Sequence, residues 1–384
     1  MAKLLRYKQL FFYAVVALLS VFLIVTDFSS AVPTSQQNTT SSQIYLQGKV
    51  RAIESEGMTM VNGRKNIVQE VAIIFEENNE QKEIQLTHGG TRTITEEQKL
   101  EVGQEVVIAK DKAAQDSSTY IIWDQYRLQN VYIIVGVFFL LIFLVTGKRG
   151  FGAILGLIFS FLVIIKFIVP LIMGGHDPLL ISIVGSLIIL SVSIYLAHGL
   201  TEQTSVAVLS TFLSLCLTGA LAVIFVKFVH LSGLGSEDAY TLQFRFTESI
   251  NFQGLLLGGI IIGALGVLDD VTTTQSATIY ELARTDKRLN FRTLVQKGMR
   301  VGREHITSLV NTLVLAYAGA SIGIFIYILL GLQNNGTPLW VILNSEILVE
   351  ELVRTLAGSI GLIMAVPITT IIAAFLTKFS IKVT

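Results

Sequence analysis

The stretch GVLDDVTTTQSATIYEL, residues 266–282, follows a run of hydrocarbon side chains from Leu255 to Leu268 that only glycines interrupt. Two adjacent carboxylates, Asp269 and Asp270, are followed by three threonines and a glutamine. The apolar part, 14 residues, is too short to cross alone. A bilayer core about 30 Å thick takes roughly 20 helical residues at about 1.5 Å each. Part of the polar stretch therefore belongs at membrane depth, with the acids between the midplane and the cytoplasmic face. An ionised carboxylate there is costly unless it is paired, solvated or protonated, and two neighbours also repel each other. The pair asks for a cation: a proton, a sodium ion, or an internal Lys or Arg. A helix stopping at Asp270 would instead leave both acids at a wet end beside the basic loop, at the negative pole of its dipole.

Outward from this stretch the chain reads as a membrane protein. Of 384 residues, 52% are hydrophobic and 15% charged, and zero net charge gives no reason to expect nucleic acid. Segments near 10–27, 130–147, 151–173, 178–198, 204–228, 252–272, 306–331 and 355–377 are long and apolar enough to span. The expected fold is a mainly α-helical integral membrane protein of about eight transmembrane helices, one in residues 1–28 and about seven in 129–384. The first follows Lys3, Arg6 and Lys8 and precedes Ser29 and Ser30. Its apolar core exceeds the usual ~7–15 residues of a cleaved signal, so a retained signal anchor is expected. Positive charge falls at Lys148, Arg149, Lys378, Lys382 and in a basic loop near 276–304, while Glu237, Asp238, Glu346, Glu350 and Glu351 fall on the other side. That asymmetry predicts both termini in the cytoplasm and residues 29–128 outside the cell membrane. In the basic loop, Leu289, Phe291, Leu294 and Val295 among the cations point to an amphipathic segment on the membrane surface.

Residues 29–43 read as a polar linker. Residues 44–128 carry five short Val/Ile-rich runs separated by polar turns, which predicts a small five-stranded, partly closed antiparallel barrel of the oligonucleotide/oligosaccharide-binding type. A protein partner or a ligand at this extracytoplasmic domain is one expectation.

Other polar side chains recur at helical spacing. Thr272, Thr273, Thr274 and Gln275 follow the acids; His305, Ser308, Asn311 and Thr312 open the seventh segment; Thr369 and Thr370 follow Pro367 in the eighth. Carboxylates with Thr, Ser, Asn and Gln oxygens can line a cation or polar-substrate site. Ser210, Ser214 and Thr218, and the pairs Gly254/Gly258 and Gly259/Gly263, read as helix packing. No metal cluster, cofactor motif or nucleophile elbow is visible, the single Cys216 excludes an intrachain disulfide, and an enzyme is not expected.

GALGVLDDVTTTQSATIYEL, HITSLVNTLVLAYAGAS and LNSEILVEELVRTLAGSIGLIMAVPITT together resemble the YibE/F-like family of bacterial multi-pass membrane proteins, from about residue 130 to the end. The resemblance implies an inner-membrane protein of permease type and supplies no catalytic residues. A weaker likeness, of the glycine-rich run before the acids to proton-relay helices of exporters, leaves proton coupling as analogy. The expected function is a secondary transporter or export-coupled permease moving a small molecule or ion. The alternative is a non-transporting scaffold or sensor acting through its outer domain.

Overall fold

The computed structural model describes residues 2–26, 43–61, 64–90, 93–111, 120–245, 250–334 and 336–380. Apart from Gln43, the expected linker lies outside the described residues, as does Lys382. The chain forms two compact units, Thr34–Leu141 and Met1–Pro33 with Ile142–Thr384.

The first unit is a sheet. Strands β1 (Gln43–Val61), β2 (Arg64–Glu77), β3 (Glu80–His88), β4 (Glu105–Asp111) and β5 (Tyr120–Gln125) pair antiparallel in the order β3-β2-β1-β4-β5. Asn78 and Asn79 join β2 to β3 with φ of 56° and 64°. A two-residue hairpin needs this left-handed pair to follow the strand twist, and Asn tolerates it. The long β1 pairs with β4 through its first residues and with β2 from Gly48 on, and register shifts at Val50/Ala52 and Ile53/Ser55 curl it around Val71, Ile73, Leu100 and Ile108. The expected barrel is corrected here: β3 and β5 share no ladder, so the sheet stays open. Alternating apolar residues specify strands but not closure, which depends on register between the two outermost strands.

Side chains join the open edges instead. His88 Nε2 lies 3.0 Å from the Gln98 carbonyl, which also accepts from Gln125 Nε2 at 3.3 Å. Glu77 accepts from Lys110 Nζ at 2.6 Å, Lys82 Nζ at 2.7 Å and Tyr120 Oη at 2.8 Å, tying β2, β3, β4 and β5 together. Hydrogen bonds from Lys110, Lys82 and Tyr120 hold the Glu77 carboxyl down at about 2, against an ordinary 4.5. A depressed folded-state value contributes stability above the unfolded value and loses it as pH falls towards the folded one. The sheet of the full chain is therefore expected to weaken between about pH 4.5 and about pH 2. Trp123 emission in a Trp340→Phe background reads this directly, and Glu77→Gln should flatten the response over that window.

The second unit is helical: α1 (Ala2–Val25), α3 (Lys148–Val163), α4 (Val169–Met173), α5 (Pro178–His198), α6 (Glu202–Phe228), α7 (Glu237–Arg245), α8 (Phe252–Thr285), α9 (Phe291–Ala320), α10 (Ile322–Asn334), α11 (Leu339–Leu343) and α12 (Glu346–Ser380). Helix α2 (Leu128–Thr146) is divided by the boundary, its residues up to Leu141 counted with the sheet and the rest with the helices. Local chemistry sets the helix starts. Asp177, Thr201, Asn251 and Asn290 each accept from a backbone N–H three residues on. A π-helical turn, Ile164–Ile168, joins α3 to α4, where Pro170 removes an N–H from the ladder.

Among the described residues six helices are long and apolar enough to cross a membrane, or seven if α9 and α10 form one span bent by 67°. The eight expected spans are thus corrected. Among the described residues the first is the shorter apolar helix Phe12–Val25, and the segment near 306–331 breaks after Ala320. Helix α12 starts nine residues before the expected 355, because its early acids have partners. Glu346 accepts from Ser232 N at 2.6 Å and Gly233 N at 3.1 Å, and Glu350 from Gly235 N at 2.9 Å. The basic segment near 276–304 is mostly helix, with residues 286–290 alone between α8 and α9.

Candidate functional site

Asp269 and Asp270 lie in the middle of α8, which runs 34 residues without interruption. A helix ending at the pair is therefore corrected. A Cβ at Gly254 would meet Pro178 and one at Gly258 would meet Ser182, so α5 runs alongside α8. Continuing that register sets Asp270 level with Ile194, one turn before α5 ends. Asp269 is half-buried and Asp270 exposed. No Lys or Arg pairs with either carboxylate among the described residues, and the charged neighbour of Asp270 is His198.

A cavity of about 220 Å³ opens beside the pair, lined by His198, Gln203, Thr204, Ala207, Thr273, Thr274 and Ala277. It sits where the turn from α5 to α6 meets α8. Thr273 leans back on its own helix, its hydroxyl donating to the Asp269 carbonyl at 2.8 Å. Of the polar lining expected from sequence, Thr273 and Thr274 face this cavity. Thr272 and Gln275 do other work. Thr272 Oγ1 lies 2.5 Å from Thr211 Oγ1 of α6. Gln275 Nε2 donates to the Gly298 carbonyl of α9 at 3.0 Å and to Thr370 Oγ1 of α12 at 2.7 Å. Both side chains are fully buried, and these bonds hold α8 against three neighbours. Ser276, donating to the Gln203 carbonyl at 2.9 Å, adds another.

The remaining expected residues fall elsewhere. Thr369 bonds the Ala365 carbonyl of its own helix at 2.7 Å. Ser308, Asn311 and Thr312 are exposed on α9, and His305 is half-buried there. A Cβ at Gly302 would meet Gln275, and one at Gly263 would meet Tyr317. Asn311 therefore stands near the depth of the acids, yet no hydrogen bond links it to them among the described residues. His198, Gln203 and Thr204 were missed in sequence. Their only signal is a polar turn, His198 to Thr204, between two apolar spans, which also fits a plain loop.

Among the described residues no group of three or more His, Cys, Asp or Glu stands close enough to hold a metal ion. What the arrangement offers is an imidazole, an amide and threonine hydroxyls lining a small cavity, with the two carboxylates one turn away along α8, a set suited to a proton or a hard monovalent cation.

Neither curated proteins nor solved structures give a match to this chain. A family model does, that of the YibE/F-like protein, over residues 134–379. That region holds most of α2, all of α3 to α11 and nearly all of α12, together with the acid pair and its cavity, and on this evidence the chain belongs to the YibE/F-like family.

Proposed function

We propose that this protein is a secondary transporter or export-coupled permease in which Asp269 and Asp270 form an exchangeable proton or cation site. One observation carries the reading: an unbroken helix takes two adjacent carboxylates, with no Lys or Arg paired to them among the described residues, past a cavity lined with hydroxyls and His198. Ionisable groups at that depth are costly and are kept for pathways and relays. The reading takes the chain as a multi-pass protein of the bacterial cytoplasmic membrane, with both termini inside and residues 29–128 outside, as the loop charges favour. It involves no catalysis.

The test is carbodiimide modification in native membranes, read by mass spectrometry across roughly pH 5 to 9. Labelling of Asp269 or Asp270 that sodium or alkali suppresses is the expected result. No labelling at any pH would overturn the exchange site.

The second reading, a scaffold or sensor, is favoured by the sheet, which has a core of its own in a separate unit. Removing residues 44–124 should abolish the activity of a scaffold, whereas a transporter should keep residual flux.

A further inference from the structure

The sheet has an outer face, turned away from the core residues Val50, Ile73 and Ile108. Strand β1 pairs with β2 only as far as Gly48 and Phe75. From there towards its start it keeps to β4, while β2 runs on beside β3. The two strands part like a fork, and in the fork lies a cavity of about 420 Å³ lined by Gln47, Lys49, Ile74, Glu76, Gln81 and Glu105.

These six side chains share the outer face. Lys49 stands opposite Ile74 on one side and Glu105 on the other, Gln81 stands opposite Glu76, and Gln47 and Glu76 follow Lys49 and Ile74 at steps of two residues. Gln47 Nε2 donates to Glu105 Oε2 at 3.0 Å, which fixes an amide beside a carboxylate. Among the described residues Lys49 and Glu76 have no hydrogen-bond or ion-pair partner, so their polar atoms are open to a ligand.

The same face continues along β1 to Tyr45, about 7 Å beyond Gln47. Trp123 of β5 falls at a register shift between Val107 and Ile108, and its ring meets that of Tyr45 edge-on, the centroids 5.6 Å apart at 76°. Tyr45 is 53% exposed and Trp123 50%, so this aromatic pair is an uncovered apolar patch beside the polar fork. From Trp123 across β4, β1 and β2 to Gln81 on β3 the face is about 19 Å wide.

We propose that this face binds a neutral glycan, one pyranose ring lying with its C–H side on Tyr45 and Trp123 and its neighbours hydrogen-bonded in the fork. The inference goes beyond both readings above and depends on neither. Ring hydroxyls both donate and accept, which suits a set that holds amides, carboxylates and an ammonium together. Charge decides against a nucleic acid strand, whose phosphates would meet Glu76 and Glu105 with Lys49 alone to offset them. A bilayer surface would cover the aromatic pair but give the polar fork nothing to bind.

The experiment uses the full chain in phosphatidylcholine nanodiscs, with Trp340→Phe so that Trp123 is the only indole. Its emission is followed during titration with cellotetraose, chitotetraose and maltotetraose. At least one of the three should blue-shift it saturably, with Kd at or below about 1 mM. Tyr45→Ala should weaken that binding about tenfold and Tyr45→Phe should keep it. Gln47→Ala should weaken it about fivefold, while Lys65→Ala, at the far end of β2, should change nothing. Emission unmoved by all three sugars, a shift that does not saturate, or binding that survives Tyr45→Ala and Gln47→Ala together would overturn the proposal. So would a shift given by oligothymidylate alone, which would make the face a nucleic-acid surface. Quenching of Trp123 by brominated phosphatidylcholine that no sugar relieves would overturn it too, by laying the face on the bilayer.

Discussion

A Gly152→Val protein is expected to be less stable than the parent chain by about 3 kcal/mol or more, at the upper end of what overpacking costs. Gly152 sits on α3 where that helix crosses α5. A Cβ there would stand 2.1 Å from the Leu196 carbonyl oxygen and 2.9 Å from its carbon. Both atoms belong to a backbone, so no side chain can turn aside and the helices must part. One helical turn on, a Cβ at Gly156 would meet Ser193 at 2.9 Å, so the crossing offers no slack. Helix association in a bilayer depends on such close approach, because lipid is as apolar as the residues being buried. Moving α5 outward would also displace Ile194 and His198 from beside the acids. Gly266→Ala supplies the contrast: nothing lies within 4 Å of its Cβ position, and the change should stay within about 0.5 kcal/mol. Reversible unfolding of both variants in mixed micelles gives the comparison. Equal stability would mean that α3 does not pack on α5 through this face.

The second large effect is expected in the sheet. Gly89, just after β3, has φ of 87°, a left-handed backbone that side-chain-bearing residues avoid. A Cβ would lie 2.2 Å from the Ile67 carbonyl oxygen and 3.0 Å from Ile94. Buried Asn66 donates to the Gly89 carbonyl and accepts from Ile94 N at 2.8 Å, so the turn cannot shift without breaking that bridge. Backbone strain of about 1–2 kcal/mol and overpacking of about 1–3 kcal/mol together make Gly89→Ala cost about 3 kcal/mol. Gly103 has a similar φ of 89° but open space around it, so Gly103→Ala should show the strain part alone. Denaturant titration of the two full-length variants, followed by Trp123 emission in the Trp340→Phe background, tests both sizes. Matching losses would remove the steric contribution assigned to Gly89.

Much of the helical frame was legible because its signals are local. Hydrocarbon runs between residues such as Asp177, Thr201 and Asn251, which start helices with their own side chains, give α5 and α6 almost to the residue. The acid pair was legible for the same reason, since two charges in an apolar run stand out on any reading. Polar residues whose role depends on a neighbouring helix were not. Thr272, Thr273, Thr274 and Gln275 are nearly alike in sequence, but rotation of about 100° per residue sends them to α6, to the cavity, to its rim and to α9 with α12. The glycine pairs divide similarly: Gly254 and Gly258 pack tightly on α5, while Gly259 and Gly263 meet only the tips of Arg354 and Tyr317. Openness of the sheet, the break after Ala320 and the cavity beside the acids all depend on contacts between residues far apart in the chain.

The length of α8 has a mechanical meaning. At about 1.5 Å per residue its 34 residues make a beam about 51 Å long, with the acids partway along and about 24 Å of helix between Asp269 and Thr285. The far arm is braced by α9, where a Cβ at Gly298 would meet Ile279. A tilt of about 10° pivoting at the acids would swing the tip at Asp286 by about 4 Å, with no loop in between to absorb the movement. Gain or loss of one charge at the pivot thus has a lever through which to be felt at the basic end of the hairpin.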